Sequence, residues 1–429
     1  MSSSPGAPAP FADLVEESLD EASFLWRRWE SDLTSLTRNL DEVWSWTEDR
    51  LHGALDGVRI GATGDAVVSG LQSDDIDKVA ASTGALASIV DPAAADAVAA
   101  ALREAEGDRL RAMLRGLELL ASDHALRVAA QALAARGPTG AAALCRVKAF
   151  RRARLGGELT TAFKSDSSEA RVEALRAAVH IPGRQTDDLL VEGLRSKETA
   201  VRLAAVETGI SIGMRRAWDA AKNGARQRDS EGNPYLRLMA MLGKTADHDT
   251  IYESLRAPAL QKDAVWALGH LGTVRAVESC LAGMKHESIA RACGEAYCWI
   301  TGADLVRDGL DVRETPPEAP SFEEDDLEAD LVPPPDDLWP LPDADAVGRD
   351  WAARRAGLAP DVRYIRGRPR TPEAVLETVE TGPMLRRADL ALELRTKTKR
   401  KYDVETRAFV SRQRQMMAAS RAAIGTGRS

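Results

Sequence analysis

The stretch AVWALGHLGTVRAVESCLAGMKHESIARACGEAYCWITG, residues 264–302, decides the fold class. Its small and apolar residues recur at three- and four-residue steps, which is the period of an amphipathic helix. A tight glycine turn at Gly272 and a polar break near His286 divide the stretch into three segments of helical length. The stretch therefore predicts three short helices joined by little connecting chain.

Similar segments recur across residues 63–310, where β-branched residues do not alternate and strand signals are almost absent. Each segment places a helix of small and apolar residues after a polar break: EARVEALRAAV, TAVRLAAVETG, NPYLRLMAMLG, LQKDAVWALGHLG and SIARACGEAYCWITG. Four carry an arginine near the start, at Arg171, Arg202, Arg237 and Arg291. A single helical hairpin cannot bury its apolar stripe alone, so this region is predicted to be an array of stacked hairpins.

The pattern Val/Leu-Arg-x-x-Ala with an Ala/Leu/Gly ending resembles HEAT repeats, best seen in VRLAA and WALGHLG. The resemblance implies an all-α, HEAT-like α-solenoid of stacked helical hairpins. HEAT repeats usually carry an acidic residue shortly before the arginine. Asp166 occupies that place before the first arginine, but Lys197, Gly232 and His286 precede the others, which argues against a continuous Asp/Arg ladder.

Packing within the array is predicted from residue size. Small residues allow the close helix approach that stacking requires, and they include Ala174, Ala177, Ala204, Ala205, Ala240 and Ala267. Trp266 and Trp299 are expected to fill the wider gaps, with Trp266 mostly buried.

Two segments precede the array. Residues 1–10 are rich in Ser, Pro and Ala and are predicted to be a disordered start. Residues 11–62 have helical periodicity and are predicted to form an N-terminal helical hairpin. Four tryptophans lie there (Trp26, Trp29, Trp44 and Trp46), and a core position is favoured for them over an exposed binding patch.

Two further segments follow the array. Residues 311–345 are acidic and Pro-rich and are predicted to be an extended linker. Residues 346–429 return to helical patterns and form a basic C-terminal helical segment, with a last helix at about 402–423. In it, Thr371 has the character of an N-cap, Pro372 of a first helical residue and Gly382 of a stop.

The net charge of −9 conceals a division along the chain. Residues 311–348 carry 13 acidic and 1 basic residue, a balance of −12, while residues 349–429 carry 19 basic and 9 acidic residues, a balance of +10. The basic segment either pairs with the acidic linker, which would mask it in the unbound protein, or offers its charge to a partner.

Composition narrows the class of protein. The longest apolar runs are far shorter than the roughly 20 residues of a membrane-spanning helix, and the start lacks the features of an export signal. Four cysteines without a CxxC pair are too few and too irregular for a disulfide framework or a zinc site. A soluble protein of the cytoplasm is expected.

Motifs for catalysis are weak. None of the six histidines has metal-ligand spacing to another ligand residue. The sequence GKTADHD at 243–249 follows a helix instead of a strand, which disfavours a phosphate loop and favours a polar turn. Cys293 and Cys298 are expected to be apolar buried thiols. We therefore expect no enzyme, with no catalytic, cofactor-binding or metal-binding residues and no small-molecule substrate.

Two basic runs, RYIRGRPR and RTKTKRK, are the best candidates for a charged binding surface. A protein partner is favoured, nucleic acid is disfavoured because the chain is acidic and offers little stacking, and a solvated or self-paired face is the alternative. Trp339, in the sequence LWPLP, is expected to dock on a neighbouring surface. The predicted partner-binding residues are Arg363, Tyr364, Arg366, Arg368, Arg370 and Trp339.

The order of segments is similar to a largely uncharacterised proteobacterial HEAT-repeat family whose genes are often found near type VI secretion clusters. The similarity runs through LDEASFLWRRWE, LDGVRIGA, ARACGEAYCWITGADL, LWPLPDADAVGRDWAARRAGL and RYIRGRPRTPEAVLETVETGPMLRRADLALEL. It implies a non-enzymatic adaptor or chaperone-like accessory protein that holds a secretion effector or spike component. An immunity protein that blocks a toxin and a nucleic-acid-binding HEAT-like protein are the alternatives.

Overall fold

A computed structural model describes residues 12–61, 64–181, 183–228, 232–312 and 339–425. Nearly all regular structure in these ranges is helical, which confirms the prediction of an all-α fold. The predicted disordered start and most of the predicted linker lie outside the described residues. No helix in the described ranges combines the length and apolar character needed to cross a bilayer.

The helices are short and follow one another closely. They are α1 (Ala12–Asp32), α2 (Leu40–Val43), α3 (Asp49–Ile60), α4 (Asp65–Gly70), α5 (Ile76–Ser88), α6 (Pro92–Glu104), α7 (Gly107–Leu120), α8 (Asp123–Ala134), α9 (Gly137–Arg151), α10 (Glu158–Phe163), α11 (Ser168–Ala177), α12 (Arg184–Gly193), α13 (Thr199–Ser211), α14 (Arg215–Ala225), α15 (Tyr235–Leu242), α16 (Asp249–Ser254), α17 (Gln261–Leu271), α18 (Val274–Gly283), α19 (Glu287–Thr301), α20 (Ala344–Arg355), α21 (Pro372–Thr381), α22 (Arg387–Lys397) and α23 (Val410–Gly425). A π-helical turn, Trp44–Glu48, joins α2 to α3.

The chain divides into two compact units. The first runs to Trp218 and resumes at Glu380, so it contains both ends of the chain. The second is Asp219–Val379. The basic segment predicted at 346–429 is thus shared between the two units, which composition alone does not indicate.

In the first unit alternate helices form a row in which α5 packs on α7, α7 on α9, α9 on α11 and α11 on α13. The intervening helices α8, α10 and α12 pack beside their chain neighbours. Serine side chains cap the starts of α8 and α11. The Ser122 hydroxyl accepts a hydrogen bond from the amide of Ala125, and the Ser167 hydroxyl accepts one from the amide of Ala170. Buried small residues such as Ala174 and Ala205 lie between the helices of the row, as predicted.

The second unit repeats this arrangement on a smaller scale, with α15, α17 and α19 in one row and α16 and α18 beside them. Gly272 ends α17 with a left-handed φ of 68° and Gly302 ends α19 with a φ of 76°, which are conformations that glycine adopts readily. The predicted glycine turn is confirmed.

The repeat arginines do not form an Asp/Arg ladder where their contacts are described. Arg202 donates to the carbonyls of Ser196 and Lys197, at 2.8 and 2.6 Å. It therefore stabilises the turn before α13 through carbonyl groups, without an acidic partner. Arg171 lies over the ring of Phe163.

Tryptophan burial differs from the prediction at Trp46, which lies at the surface. Trp26, Trp29 and Trp299 are buried, but Trp46 is 57% exposed. Trp266 is partly exposed, because the buried stripe of α17 runs through Ala264, Ala267 and Leu271 and places position 266 beside it. Trp266 is nevertheless mostly buried, as expected.

Two strands of two residues each, β1 (Tyr364–Ile365) and β2 (Arg368–Pro369), pair antiparallel in the second unit. The loop residues Arg366 and Gly367 have φ values of 50° and 75°, as in the tight turns that favour hairpins. The last helix begins at Val410, later than predicted. Residues 402–409 instead form a packed, non-helical segment in which Tyr402 and Phe409 are buried.

Candidate protein-binding site

The predicted partner-binding residues lie in the second unit, where the β1–β2 hairpin sits on the ends of two helices. The amide of Tyr364 donates to the carbonyl of Gly272 at 2.6 Å, and the amide of Arg366 donates to that of Trp299 at 2.8 Å. A Cβ atom on Gly272 would lie 2.2 Å from the Tyr364 carbonyl oxygen, so this approach requires glycine.

The guanidinium of Arg363 forms hydrogen bonds within the second unit. Its Nε donates to the carbonyl of Leu271 at 2.8 Å, and its Nη2 donates to those of Ala240 and His270 at 2.6 and 2.9 Å. These carbonyls belong to the last turns of α15 and α17, where helices leave carbonyls without partners and favour positive charge. Arg363 of the basic run therefore caps the C-terminal ends of α15 and α17. In the sequence, Gly272 marks the end of α17.

The other predicted residues divide between interior and surface. Tyr364 is buried, and its hydroxyl accepts from the amide of Ala359 at 2.8 Å. Arg366 and Arg368 are exposed, and Arg368 forms an ion pair with Glu377 at 2.9 Å. Arg370 is partly buried, and its amide donates to the carbonyl of Arg363.

Trp339 lies apart from the hairpin. Its carbonyl accepts from the guanidinium of Arg291, near the start of α19, whereas the hairpin sits at the end of that helix, about 13 Å along its axis. Trp339 and Trp266 line a cleft of about 180 Å³. Trp339 therefore docks as expected, but the six predicted residues do not form one surface.

A larger candidate site lies in the first unit, between α7, α9 and α11. This groove has a volume of about 520 Å³. Its floor is apolar and built from buried residues of the three helices: Leu110, Leu114, Ala142, Ala143, Ala170 and Val172. Sequence analysis missed it, because its walls come from segments about thirty residues apart that only the stacking of helices brings together.

Seven charged side chains of both signs line the groove: Arg111, Arg136, Arg146, Arg176, Glu106, Glu169 and Glu173. Burial raises the pKa of Glu173, although Arg176 and Arg146 act in the opposite direction. The nearest guanidinium nitrogen of Arg176 is 3.7 Å from the Glu173 carboxylate, too far for a normal hydrogen bond. Glu173 thus keeps acceptor capacity on the groove side.

Buried ion pairs hold the wall of the groove in place. Arg146 donates to Glu118 at 2.6 Å, and the buried Arg115 lies 3.2 Å from the same carboxylate and also pairs with Glu30 of α1. Arg115 further donates to the carbonyl of Arg407 at 2.6 Å. The network ties α1, α7, α9 and the C-terminal segment into one unit, and breaking one member would leave a buried charge unpaired.

A second cleft of about 370 Å³ lies on another face of α9, against α8. Leu126, Leu133, Leu144 and Val147 give it an apolar lining. It suits an apolar side chain better than a polar segment.

Outside the groove, two cysteines and a histidine have shifted pKa values. Burial raises the pKa values of Cys145 and Cys298 to about 12, so both thiols are protonated at neutral pH. Burial likewise lowers the pKa of His248. The described residues contain no group of three or more His, Cys, Asp or Glu side chains placed to hold a metal ion.

Fold and site together define an all-α protein with a charged groove between α7, α9 and α11. No family model matches the chain, and no curated protein matches it. A solved structure described as an engineered protein is 16% identical, covers 65% of this chain and 90% of its own, and superposes with a TM-score of 0.26. A likeness at that level does not establish a shared fold.

Proposed function

We propose that this chain is a non-enzymatic protein-binding scaffold, built of HEAT-like hairpins, that holds a segment of another protein in the groove between α7, α9 and α11. The observation that carries the proposal is the groove itself: an apolar floor bordered by seven charges of both signs. Protein interfaces combine such an apolar centre with a polar rim. Small-molecule sites are mostly apolar and carry few polar groups.

The charge of the groove suggests how a partner would be held. Glu173 accepts no hydrogen bond from a described residue and has a raised pKa, so a lysine or arginine of the partner would stabilise its ionised form. Apolar side chains of the same segment would cover Leu114 and Val172 on the floor. From the family resemblance we expect the partner to be a secretion effector or a spike component. The alternative partner is a toxin.

Co-purification from the native host tests this function. The variant Arg111→Glu/Arg176→Glu reverses two exposed charges at the groove, and Arg184→Glu/Arg195→Glu makes the same charge change elsewhere in the first unit. A partner that is retained by the wild type and the control but lost by the groove variant supports the proposal. Equal recovery with all three proteins contradicts it.

Identity of the partner then separates the two proposed roles. A structural component of a secretion machine supports the adaptor role. A protein whose killing of cells is prevented by co-expression of this chain supports the immunity role.

A further inference from the structure

The second basic run, RTKTKRK at 395–401, lies beside another arginine-rich turn in the first unit. Residues 151–154 and 395–401 contain eight cationic and no acidic residues. Asp403 joins the two segments: Arg152 donates to its carboxylate at 3.0 and 2.9 Å, and Arg395 donates at 2.8 Å.

His180 fixes the geometry of this cluster from a third element. Its Nε2 lies 3.1 Å from Nη1 of Arg152. Burial and the charges of Arg152, Arg395 and Arg400 lower the pKa of His180 to about 3, so the ring is neutral and accepts from Arg152. The shared contacts of Arg152 and Arg395 with Asp403 place the start of the run beside the Arg152 turn.

Four cations of the cluster have side chains with neither an acidic nor a carbonyl partner among the described residues. Arg152 and Arg395 pair with Asp403, Lys397 pairs with Glu393 at 2.6 Å, and Arg151 donates to helix carbonyls. Arg154, Lys399, Arg400 and Lys401 form no ion pair with any residue that the structure describes. All except the partly buried Arg400 are exposed.

The backbone of the cluster adopts conformations that non-glycine residues rarely take. Arg152, Lys399 and Arg400 have φ values of 59°, 51° and 69°. Three of the four described non-glycine residues with positive φ therefore lie here, and all of them are basic. Such conformations cost energy and persist where the surrounding structure enforces them, often at functional sites.

We propose that Arg154, Lys399, Arg400 and Lys401 form a docking surface for an acidic segment of a protein partner, separate from the groove. Asp403 already shows that two guanidinium groups at this place hold a carboxylate. The aromatic residues next to the cluster in sequence, Phe150 and Tyr402, are buried and cannot stack on bases.

Binding of a labelled oligoglutamate peptide to the full chain tests the proposal. Lys399→Gln/Arg400→Gln/Lys401→Gln should weaken binding about tenfold relative to the wild type, because each lost contact between exposed charges is modest. Lys164→Gln/Arg195→Gln/Lys197→Gln removes the same charge from exposed positions of the same unit and should bind as the wild type does. Raising the salt to about 0.5 M should weaken the wild-type interaction.

A second variant, Arg154→Gln, keeps the test valid if the triple variant misfolds. Arg154 is exposed and lies on the other segment of the cluster. It should weaken binding about threefold while circular dichroism stays unchanged. Equal weakening by the control triple variant, or no effect of either test variant, overturns the proposal. Tighter binding of a random-sequence DNA duplex than of the peptide also overturns it, because the surface would then belong to nucleic acid. The outcome is independent of the groove, which none of these variants alters.

Discussion

At the scale of the residue, the guanidinium of Arg363 satisfies three carbonyls at the ends of α15 and α17. Hydrogen bonds to charged groups contribute about 1.5 to 3 kcal/mol each, and orphaned carbonyls add a cost, although such contributions are not additive. We expect Arg363→Gln to lower the free energy of unfolding of the second unit by about 2 to 4 kcal/mol in denaturant titration.

Arg368→Gln is the matched control for that prediction. Its partner Glu377 and Arg368 itself are both about half exposed, so the change should cost less than about 1 kcal/mol. If Arg368→Gln lowered the free energy of unfolding as much as Arg363→Gln, the three carbonyl contacts of Arg363 would not be the source of its effect.

His180 gives a prediction for pH. Its folded pKa is about 3, whereas an unfolded histidine titrates at about 6.5. Between these values the unfolded chain binds a proton that the folded chain does not, so stability falls as the pH is lowered through this window. Asp403, whose pKa Arg395 and Arg152 hold below its ordinary value despite burial, adds a loss of the same sign only at lower pH.

Denaturant midpoints at about pH 7 and about pH 4.5 isolate the histidine from the carboxylate. His180→Gln should show a smaller fall between the two values than the wild type. His286→Gln, at an exposed position, should show the wild-type fall. An unchanged fall in His180→Gln would contradict the partly buried, neutral state of His180.

At the scale of the element, Gly272 permits the β1–β2 hairpin to meet the end of α17. Gly272→Ala would add both a strained φ and a clash with the Tyr364 carbonyl, while Gly309→Ala adds strain alone, since Gly309 has a similar φ of 65° and open space around it. We expect Gly309→Ala to cost about 1 to 2 kcal/mol and Gly272→Ala at least about 2 kcal/mol more, measured by unfolding in denaturant. Equal costs would show that the hairpin does not pack where described.

Some elements are predictable from sequence and others are not. Thr371 does cap α21, since its hydroxyl accepts from the amide of Ala374 at 3.1 Å, and local chemistry was enough to predict it. The hairpin at 364–369 was not predicted, because its stability comes from the ends of distant helices. The groove was not predicted either, because segments distant in sequence form its walls.

At the scale of the whole chain, the segment from Glu380 completes the first unit. Phe409 packs against the rings of Trp29 and His52, at centroid distances of 4.9 and 4.5 Å, and the amide of Val410 donates to the buried Glu48. A chain truncated before Met384 should therefore expose Trp29 and lose stability in its first unit. Composition does not predict that this segment belongs to the first unit, because residues 346–429 have a net positive charge on both sides of the boundary at Glu380.

Thermal unfolding followed by tryptophan fluorescence measures that loss. The truncation should lower the first transition by several degrees or abolish it, because it removes buried aromatic packing and leaves buried charges unpaired. Removing residues 426–429 alone serves as the control for shortening the chain. Identical unfolding of both truncated chains would contradict the assignment of this segment to the first unit.

Site-specific photo-crosslinking tests the central claim, that the groove between α7, α9 and α11 holds a protein partner. A photoreactive phenylalanine is introduced at Glu169, which is exposed in the groove, or at Asp188, which is exposed on α12 outside it. The account predicts that the co-purified partner crosslinks from position 169 and not from position 188, and that Arg111→Glu/Arg176→Glu abolishes the product. Crosslinking from position 188 alone, or a product that the groove variant leaves intact, would contradict it.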